Sequence, residues 1–166
     1  ESFHRAFGVR VATLRPFNTY GPRQSGRAVI PTMIGQALQR DRIELGSLTP
    51  TRDLTYVGDT ARAFLAVGSH PDAIGKVLNA GHGKDISIGG LAEMVLKILG
   101  KDMPILSKSE RVRPTQSEVL QLVCDASEIT RLCGWTPQVT LEQGLSHVID
   151  FMREHPDWTQ VDKYET

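Results

Sequence analysis

Short runs of β-favouring residues alternate along this chain with longer segments in which apolar residues recur every three or four positions. The strand-like runs cover residues 9–14, 43–45, 54–57 and 76–80, with a further extended stretch at 119–123. The helical stripes cover residues 30–38, 91–99 and 141–152. Because strands and helices alternate, the sequence predicts an α/β fold.

Helix-capping residues mark several boundaries. Ser87 and Thr140 stand at the starts of two helical stripes, and Asp59 is predicted to open a further helix as its N-cap. Gly100 follows the apolar stripe at 91–99, which is typical of a helix end. A short helix is predicted up to residue 132, with an N-cap at 125 or 127, and residues 18–27 are predicted to be a loop.

The first eight residues have the pattern of a helix that ends at Gly8 and has no N-cap of its own. This pattern leads us to expect a preceding N-terminal part. We also expect residues 1–158 to form one unit and residues 159–166 to be a loose tail.

Composition narrows the class of protein. A length of 166 residues with 40% hydrophobic content suits one folded domain, and it argues against a disordered chain. The 19 basic and 19 acidic side chains balance, so no broad surface for nucleic acid or an anionic membrane is indicated. No apolar run is long enough to span a membrane. Two cysteines are too few for a disulfide scaffold, and we expect core thiols and a cytoplasmic protein.

Three polar segments are candidate binding sites. The first, LRPFNTYGPR at residues 14–23, directly follows a strand-like run, where α/β proteins bind ligands. Its amide and guanidinium groups suit an anionic ligand, although a capped turn with surface arginines explains them equally well. Arg52 could pair with Asp53 or bind a phosphate. Arg111 and Arg113 could clamp an anion or belong to a solvated loop.

Other kinds of chemistry find no motif in the sequence. The histidines lack metal-ligand spacing, so no metal site is predicted. Gly81-His82-Gly83 lacks the third glycine of a dinucleotide fingerprint. The carboxylates are dispersed, and no catalytic residue can be named within this chain.

Several ordered motifs together resemble the extended short-chain dehydrogenase/reductase family, and within it the NAD-dependent nucleotide-sugar epimerases and dehydratases. The motifs are RPFNTYGPR at 15–23, VIP at 29–31, RDLTYVGD at 52–59, NAGHG at 79–83, CDASEI at 124–129 and LCGWTP at 132–137. The segment GSLTPTRD at 46–53, with RP at 113–114 and SEV at 117–119, is most similar to 4,6-dehydratases of UDP-N-acetylglucosamine-type sugars.

The resemblance implies that this chain is the C-terminal part of an extended Rossmann-type fold: the last parallel strands and a small α/β substrate-binding lobe. It implies that Pro16 and Phe17 contact the nicotinamide end of NAD. The residues that it assigns to the nucleotide-diphospho-sugar substrate are Asn18, Val29, Ile30, Pro31, Arg52, Arg113 and Glu118. The glycine-rich NAD turn and the catalytic Tyr-x-x-x-Lys pair of the family are not in this chain, and a homodimer of the longer protein is an analogy only.

Three hypotheses follow. In the first, the chain supplies substrate binding to an enzyme, an epimerase or a dehydratase, that transiently oxidises the sugar at C4. In the second, it is a sugar-nucleotide-binding module without chemistry. In the third, it is an inactive truncated fragment.

Overall fold

A computed structural model describes residues 2–108 and 119–159 of the chain. Its strands are β1 (Thr13–Pro16), β2 (Asn18–Tyr20), β3 (Ile43–Leu45), β4 (Thr51–Tyr56), β5 (Val77–Ala80), β6 (Asp85–Ser87), β7 (Ile105–Ser107) and β8 (Gln121–Leu122). Its α-helices are α1 (Ser2–Phe7), α2 (Val29–Gln39), α3 (Val57–Ser69), α4 (Ile88–Leu99), α5 (Ser127–Cys133) and α6 (Leu141–Glu154). Short 3-10 turns lie at Pro71–Ala73 and Pro156–Thr159.

The strands form three sheets. β1 pairs with β5 in parallel, and β3 pairs with β7 in parallel. β4 is the centre of the third sheet, where it pairs with β2 and β8 in parallel and with β6 in the antiparallel sense. The predicted α/β fold with parallel strands is therefore confirmed.

Two hydrophobic cores hold these sheets to the helices. The larger core packs α2, α4 and α6 against the sheet that contains β2 and β4, with Met33, Leu91 and Leu145 fully buried. The smaller core packs α3 and α5 against β1 and β5 around Leu78 and Ile129. The helical stripes predicted from the sequence face these cores.

Many of the predicted boundaries are confirmed. Ser87 accepts a hydrogen bond from the Gly90 backbone at the start of α4, and Thr140 forms a capping box with Gln143 at the start of α6. Gly100 ends α4 with a φ of 64°, in the left-handed region that glycine adopts without strain. The predicted strand at residues 43–45 matches β3.

Some predictions were wrong. Asp59 is not the N-cap of α3, because that helix begins two residues earlier, at Val57, and Tyr56 occupies the N-cap position. The first strand covers residues 13–16 rather than 9–14, because β5 offers pairing partners only from Val77 to Ala80. Residues 18–20 of the predicted loop form β2, and the sequence analysis missed β6 and β7.

A helix lies near the N-terminal end of the described residues and a 3-10 turn at their C-terminal end. The predicted helix before Gly8 is present as α1. Of the predicted tail, Thr159 belongs to the last 3-10 turn, and residues 160–166 lie outside the described residues. None of the helices in residues 2–108 and 119–159 combines the length and apolarity needed to cross a bilayer.

Glu44 is a nearly buried carboxylate at the edge of the larger core, with 7% of its surface exposed. It accepts bonds from Arg42 Nε at 2.9 Å and from Lys108 Nζ at 2.8 Å. Its backbone exchanges two hydrogen bonds with the buried Gln36 amide. Hydrogen bonds from Lys108 and Arg42 lower the pKa of Glu44 to about 2.

Gly144 in α6 lies against the buried Tyr20 hydroxyl, and a Cβ added there would overlap that oxygen. We expect Gly144→Ala to lower the free energy of unfolding by about 1–3 kcal/mol, as overpacking does. Gly68 in α3 is the matched control, since a Cβ there meets open space. Gly68→Ala should raise stability by a few tenths to 1 kcal/mol. Urea denaturation measures both variants, and equal stability of the two would contradict the packing.

The lowered pKa of Glu44 predicts a specific dependence of stability on pH. A carboxyl whose pKa is lower in the folded chain stabilises the fold above its ordinary value of 4.5, and the stabilisation is lost as pH falls from 4.5 towards 2. Glu44→Gln should therefore unfold at lower urea than the wild type at pH 7. The gap between the two midpoints should close through acidic pH, and a constant gap from pH 7 to pH 3 would contradict this.

Candidate functional site

The chain changes pairing partner at Phe17, the one residue between β1 and β2. The Phe17 backbone N–H donates to the Ala80 carbonyl at 2.8 Å, which continues the β1–β5 ladder by one more bond. The next residue, Asn18, already pairs with Leu54 of β4. Pro16 is exposed and Phe17 is half-buried, and both lie at the carboxyl end of the β1–β5 pair.

Asn18 and Arg52 lie on one face of two neighbouring parallel strands. Asn18 is in register with Leu54, and Arg52 precedes Leu54 by two residues, so all three side chains leave the same face. Strand spacing places the Cα atoms of Asn18 and Arg52 about 8 Å apart. The same face continues through Tyr20 and Tyr56, whose rings make an edge-to-face contact at 5.9 Å.

The polar groups on this face are oriented by backbone contacts. Asn18 Nδ2 donates to the Asp53 carbonyl at 3.1 Å, which fixes the plane of its amide. Arg52 Nη1 donates to the carbonyls of Thr51 at 2.8 Å and of Val119 at 2.7 Å. The Asp53 side chain leaves the opposite face of β4. The strand therefore separates the Asp53 carboxylate from the face on which Arg52 could bind a phosphate.

The three predicted base contacts lie in the first turn of α2. Ile30 is 1% exposed and its side chain belongs to the larger core. Val29 packs at the rim of that core. Pro31 lines, with Arg23 and Trp158, a cavity of about 10 Å³ that is no larger than one water molecule. A contact between these residues and a nucleotide base stays a prediction.

Three further motif residues are Arg113, Glu118 and Tyr20. Arg113 and Glu118 lie outside the described residues. Tyr20 is buried, and its hydroxyl donates to the Leu141 carbonyl at 3.3 Å. Burial is the main cause that raises the pKa of Tyr20, and these contacts indicate a structural role.

Two buried carboxylates, those of Asp53 and Asp59, accept hydrogen bonds from backbone segments that are distant in sequence. Asp59 accepts the backbone N–H groups of Gln138 and Val139, each at 3.0 Å, and forms an ion pair with Arg62. Asp53 accepts three backbone N–H groups from two separate turns. From the sequence, Asp53 was a possible partner of Arg52 and Asp59 a predicted N-cap, and the partners found here were not predicted. The available signal for Asp53 was a charged residue directly before the strand-like run at 54–57.

The cysteines have the environment of unreactive thiols. Cys124 is buried, Cys133 is half-buried, and neither is in a disulfide. Burial raises the pKa of Cys124 to about 12, with the charges of Asp53 and Asp125 adding to the effect. Among the described residues, His, Cys, Asp and Glu form no cluster that could hold a metal ion.

Comparison with known proteins gives a consistent set of relatives. The chain is 29% identical over 159 residues to a putative UDP-glucose 4-epimerase of Methanocaldococcus jannaschii, which covers 92% of this chain and 49% of the relative. It is 30% identical over 148 residues to a GDP-6-deoxy-D-mannose reductase of Pseudomonas aeruginosa, which covers 86% of this chain and 48% of the relative.

A solved structure matches over a similar span. The crystal structure of UDP-glucuronic acid 4-epimerase from Bacillus cereus, in complex with UDP-glucuronic acid and NAD, superposes with a TM-score of 0.81 at 30% identity. The match covers 92% of this chain and 48% of that chain. The chain thus spans about half the length of the relatives that it matches.

The family model for the NAD dependent epimerase/dehydratase family matches residues 1–88, which is more than half of the sequence. The matched span contains β1, β2 and β4, and therefore Phe17, Asn18 and Arg52. The chain belongs to the NAD-dependent epimerase/dehydratase family, within the extended short-chain dehydrogenases/reductases.

Proposed function

We propose that this chain is the sugar-nucleotide-binding part of an NAD-dependent enzyme that acts on a nucleotide-diphospho-sugar. The observation that carries the proposal is the common face of β2 and β4, from which both Asn18 and Arg52 project, and general strand spacing puts their Cα atoms about 8 Å apart. That separation suits two contacts with one pyrophosphate group. The relatives named above, which act on UDP- or GDP-linked sugars, support this substrate class.

In this proposal the two side chains divide the work of holding the substrate. The Arg52 guanidinium provides a planar set of donors for phosphate oxygens, and it already bonds two carbonyls that restrict its position. Within residues 2–108 and 119–159, the Asn18 side chain is bonded to the Asp53 carbonyl, so its amide oxygen and second N–H can bind a ligand. Arg113 and Glu118 are proposed to add contacts to the diphosphate and the ribose.

The residues at the carboxyl end of β1 fit one end of the cofactor. Phe17 offers a half-buried aromatic ring and Pro16 an exposed apolar surface, which suit the nicotinamide but not a pyrophosphate. When bound, NAD supplies an acceptor and donor of hydride for transient oxidation at the sugar C4. Pro16 and Phe17 would restrict its nicotinamide end, while Asn18 and Arg52 would orient the sugar nucleotide one strand away.

The step that follows oxidation of the sugar at C4 decides whether the enzyme is a dehydratase or an epimerase. We propose that the enzyme is either a 4,6-dehydratase, which is a lyase, or an epimerase, which is an isomerase. We propose that it works in the cytoplasm. The acid/base groups that separate the two are proposed to lie in a preceding part of a longer protein, and that part is proposed to form a homodimer.

Surface features of the described residues support a covering partner segment. β1 pairs with β5 alone among the described strands. A cleft of about 370 Å³ lies beside it, lined by apolar groups of β1 and α3 together with Arg10 and His70. Phe64 and Leu65 of α3 are 54% and 73% exposed. Apolar area of this kind marks an interaction surface.

Binding of UDP tests the proposed site. We expect the chain to bind UDP, and Asn18→Ala and Arg52→Ala each to weaken that binding about ten- to hundredfold, as losses of hydrogen bonds to charged groups do. Arg153→Ala is the control, since Arg153 is exposed on α6 and faces Asp150 at 3.9 Å. Isothermal titration calorimetry measures all four proteins, with circular dichroism as a check of folding. A folded wild-type chain that does not bind UDP would overturn the proposal.

The exposed apolar surface predicts association of the chain with itself at high concentration. Phe64→Ser with Leu65→Ser should reduce that association, because it removes apolar area beside the β1 edge. Leu106→Ser is the control, since Leu106 is 43% exposed but lies on β7, in another sheet. Light scattering against concentration measures the effect. A wild-type chain that stays monodisperse, with a sharp reversible thermal transition, would count against a covering segment.

A further inference from the structure

Asp53 carries a carboxylate into the interior of the protein. It lies in the middle of β4 and has no exposed surface. Burial of a charged group is costly unless hydrogen bonds replace its hydration. Three backbone N–H groups do so: His82 N lies 2.8 Å from Oδ1, Gly83 N lies 2.8 Å from Oδ2, and Cys124 N lies 3.0 Å from Oδ2.

These donors come from two turns that are far apart in sequence. The first turn, Gly81 to Gly83, follows β5, and the second contains Cys124, between β8 and α5. The turns approach closely at Gly81, where an added Cβ would lie 2.7 Å from Cys124 Sγ and 3.1 Å from Asp53 Oδ2. Only glycine permits this approach, so the carboxylate, the glycine and the second turn form one packed junction.

The junction connects the two halves of the proposed site. The turn at Gly81 continues β5, and β5 holds Ala80, which binds the Phe17 backbone at the proposed nicotinamide end. On the other side of the junction, Arg52 is the residue next to Asp53 in β4. The Asp53 carbonyl accepts the Asn18 amide on the substrate face. Displacement of Asp53 would therefore move both proposed phosphate contacts relative to the end of β1.

We propose that Asp53 is a positioning residue for the sugar-nucleotide site. Its buried carboxylate fixes β4 against the turns that follow β5 and β8, and so holds Arg52 and Asn18 in the geometry that a pyrophosphate requires. The proposal rests on the proposed function. According to this proposal, Asp53 helps the site to prefer a nucleoside diphosphate over the monophosphate. When Arg52 and Asn18 shift, the site loses its contact with the second phosphate, which only the diphosphate has.

The carboxylate is specifically suited to this role. Each of its two oxygens accepts, and Oδ2 accepts twice. An asparagine of the same shape has one oxygen, and its NH₂ group would face a backbone N–H donor. Asp53→Asn thus preserves the volume of the side chain while removing at least one bond of the junction.

The experiment compares the affinities of UDP and UMP by calorimetry, for the wild type, Asp53→Asn, Arg52→Ala and the double variant. The wild type should prefer UDP. Asp53→Asn should weaken UDP binding about tenfold, the effect of one lost hydrogen-bonded contact, with little change for UMP. In the Arg52→Ala background, Asp53→Asn should cause no further loss of preference, because both changes act on the same contact.

Asp125→Asn is the matched control. Asp125 lies next to Cys124 and accepts the Ser127 N–H at 2.9 Å, but it is exposed and has no bond to β4. This variant should keep the wild-type preference for UDP. A loss of preference as large as in Asp53→Asn would overturn the proposal, because a general weakening of the turn would then suffice.

The outcomes separate the two proposals. A wild-type chain that binds no UDP removes the proposed function. A wild-type chain that prefers UDP, with the same preference in folded Asp53→Asn, removes the role of Asp53 alone. If Asp53→Asn does not fold, Gly81→Ala tests the junction from its other side, since its Cβ displaces the Cys124 turn. Retained preference in Gly81→Ala would overturn the positioning role.

Discussion

The change of pairing partner at Phe17 governs the rest of the site. β1 ends on β5, and β2 begins on β4 one residue later, so one continuous extended segment belongs to two sheets. The Phe17 N–H bond to Ala80 is the last rung of the first ladder. Because successive side chains of an extended chain alternate, this crossing places Phe17 and Asn18 on different sides within a few ångströms. Proposed cofactor and substrate contacts thus come from adjacent residues.

Two buried carboxylates join segments that are distant in sequence. Asp53 joins β4 to the turns at Gly81 and Cys124, and Asp59 joins α3 to the segment before α6. In both cases backbone N–H groups replace water around the charge, so the bonds specify a position of the main chain rather than of a side chain. The proposed binding face is formed by short strands of three to six residues, and it depends on such bonds because its ladders are too short to fix it alone.

The sequence predicted the elements that depend on local signals. The stripe at 91–99 with Ser87 before it and Gly100 after it specifies α4, and Thr140 specifies the start of α6. It did not predict the limits of β1, because that strand extends only where β5 offers a partner, and pairing is a property of two distant segments. The same reason explains Asp59. Its carboxylate suggested an N-cap, but tertiary bonds to Gln138 and Val139 determine its position, and the helix begins at Val57.

The candidate site follows the same division. Motif resemblance singled out Asn18 and Arg52, yet their shared face depends on the register of β2 against β4, which no local pattern encodes. Ile30 is also a motif position, and its side chain lies in the larger core, while its contact with a nucleotide base stays a prediction. The zero net charge of the chain is compatible with the proposed diphosphate site. In the proposed function a few oriented donors on one sheet face would hold a diphosphate, so binding would need local geometry and not an excess of positive charge over the whole surface.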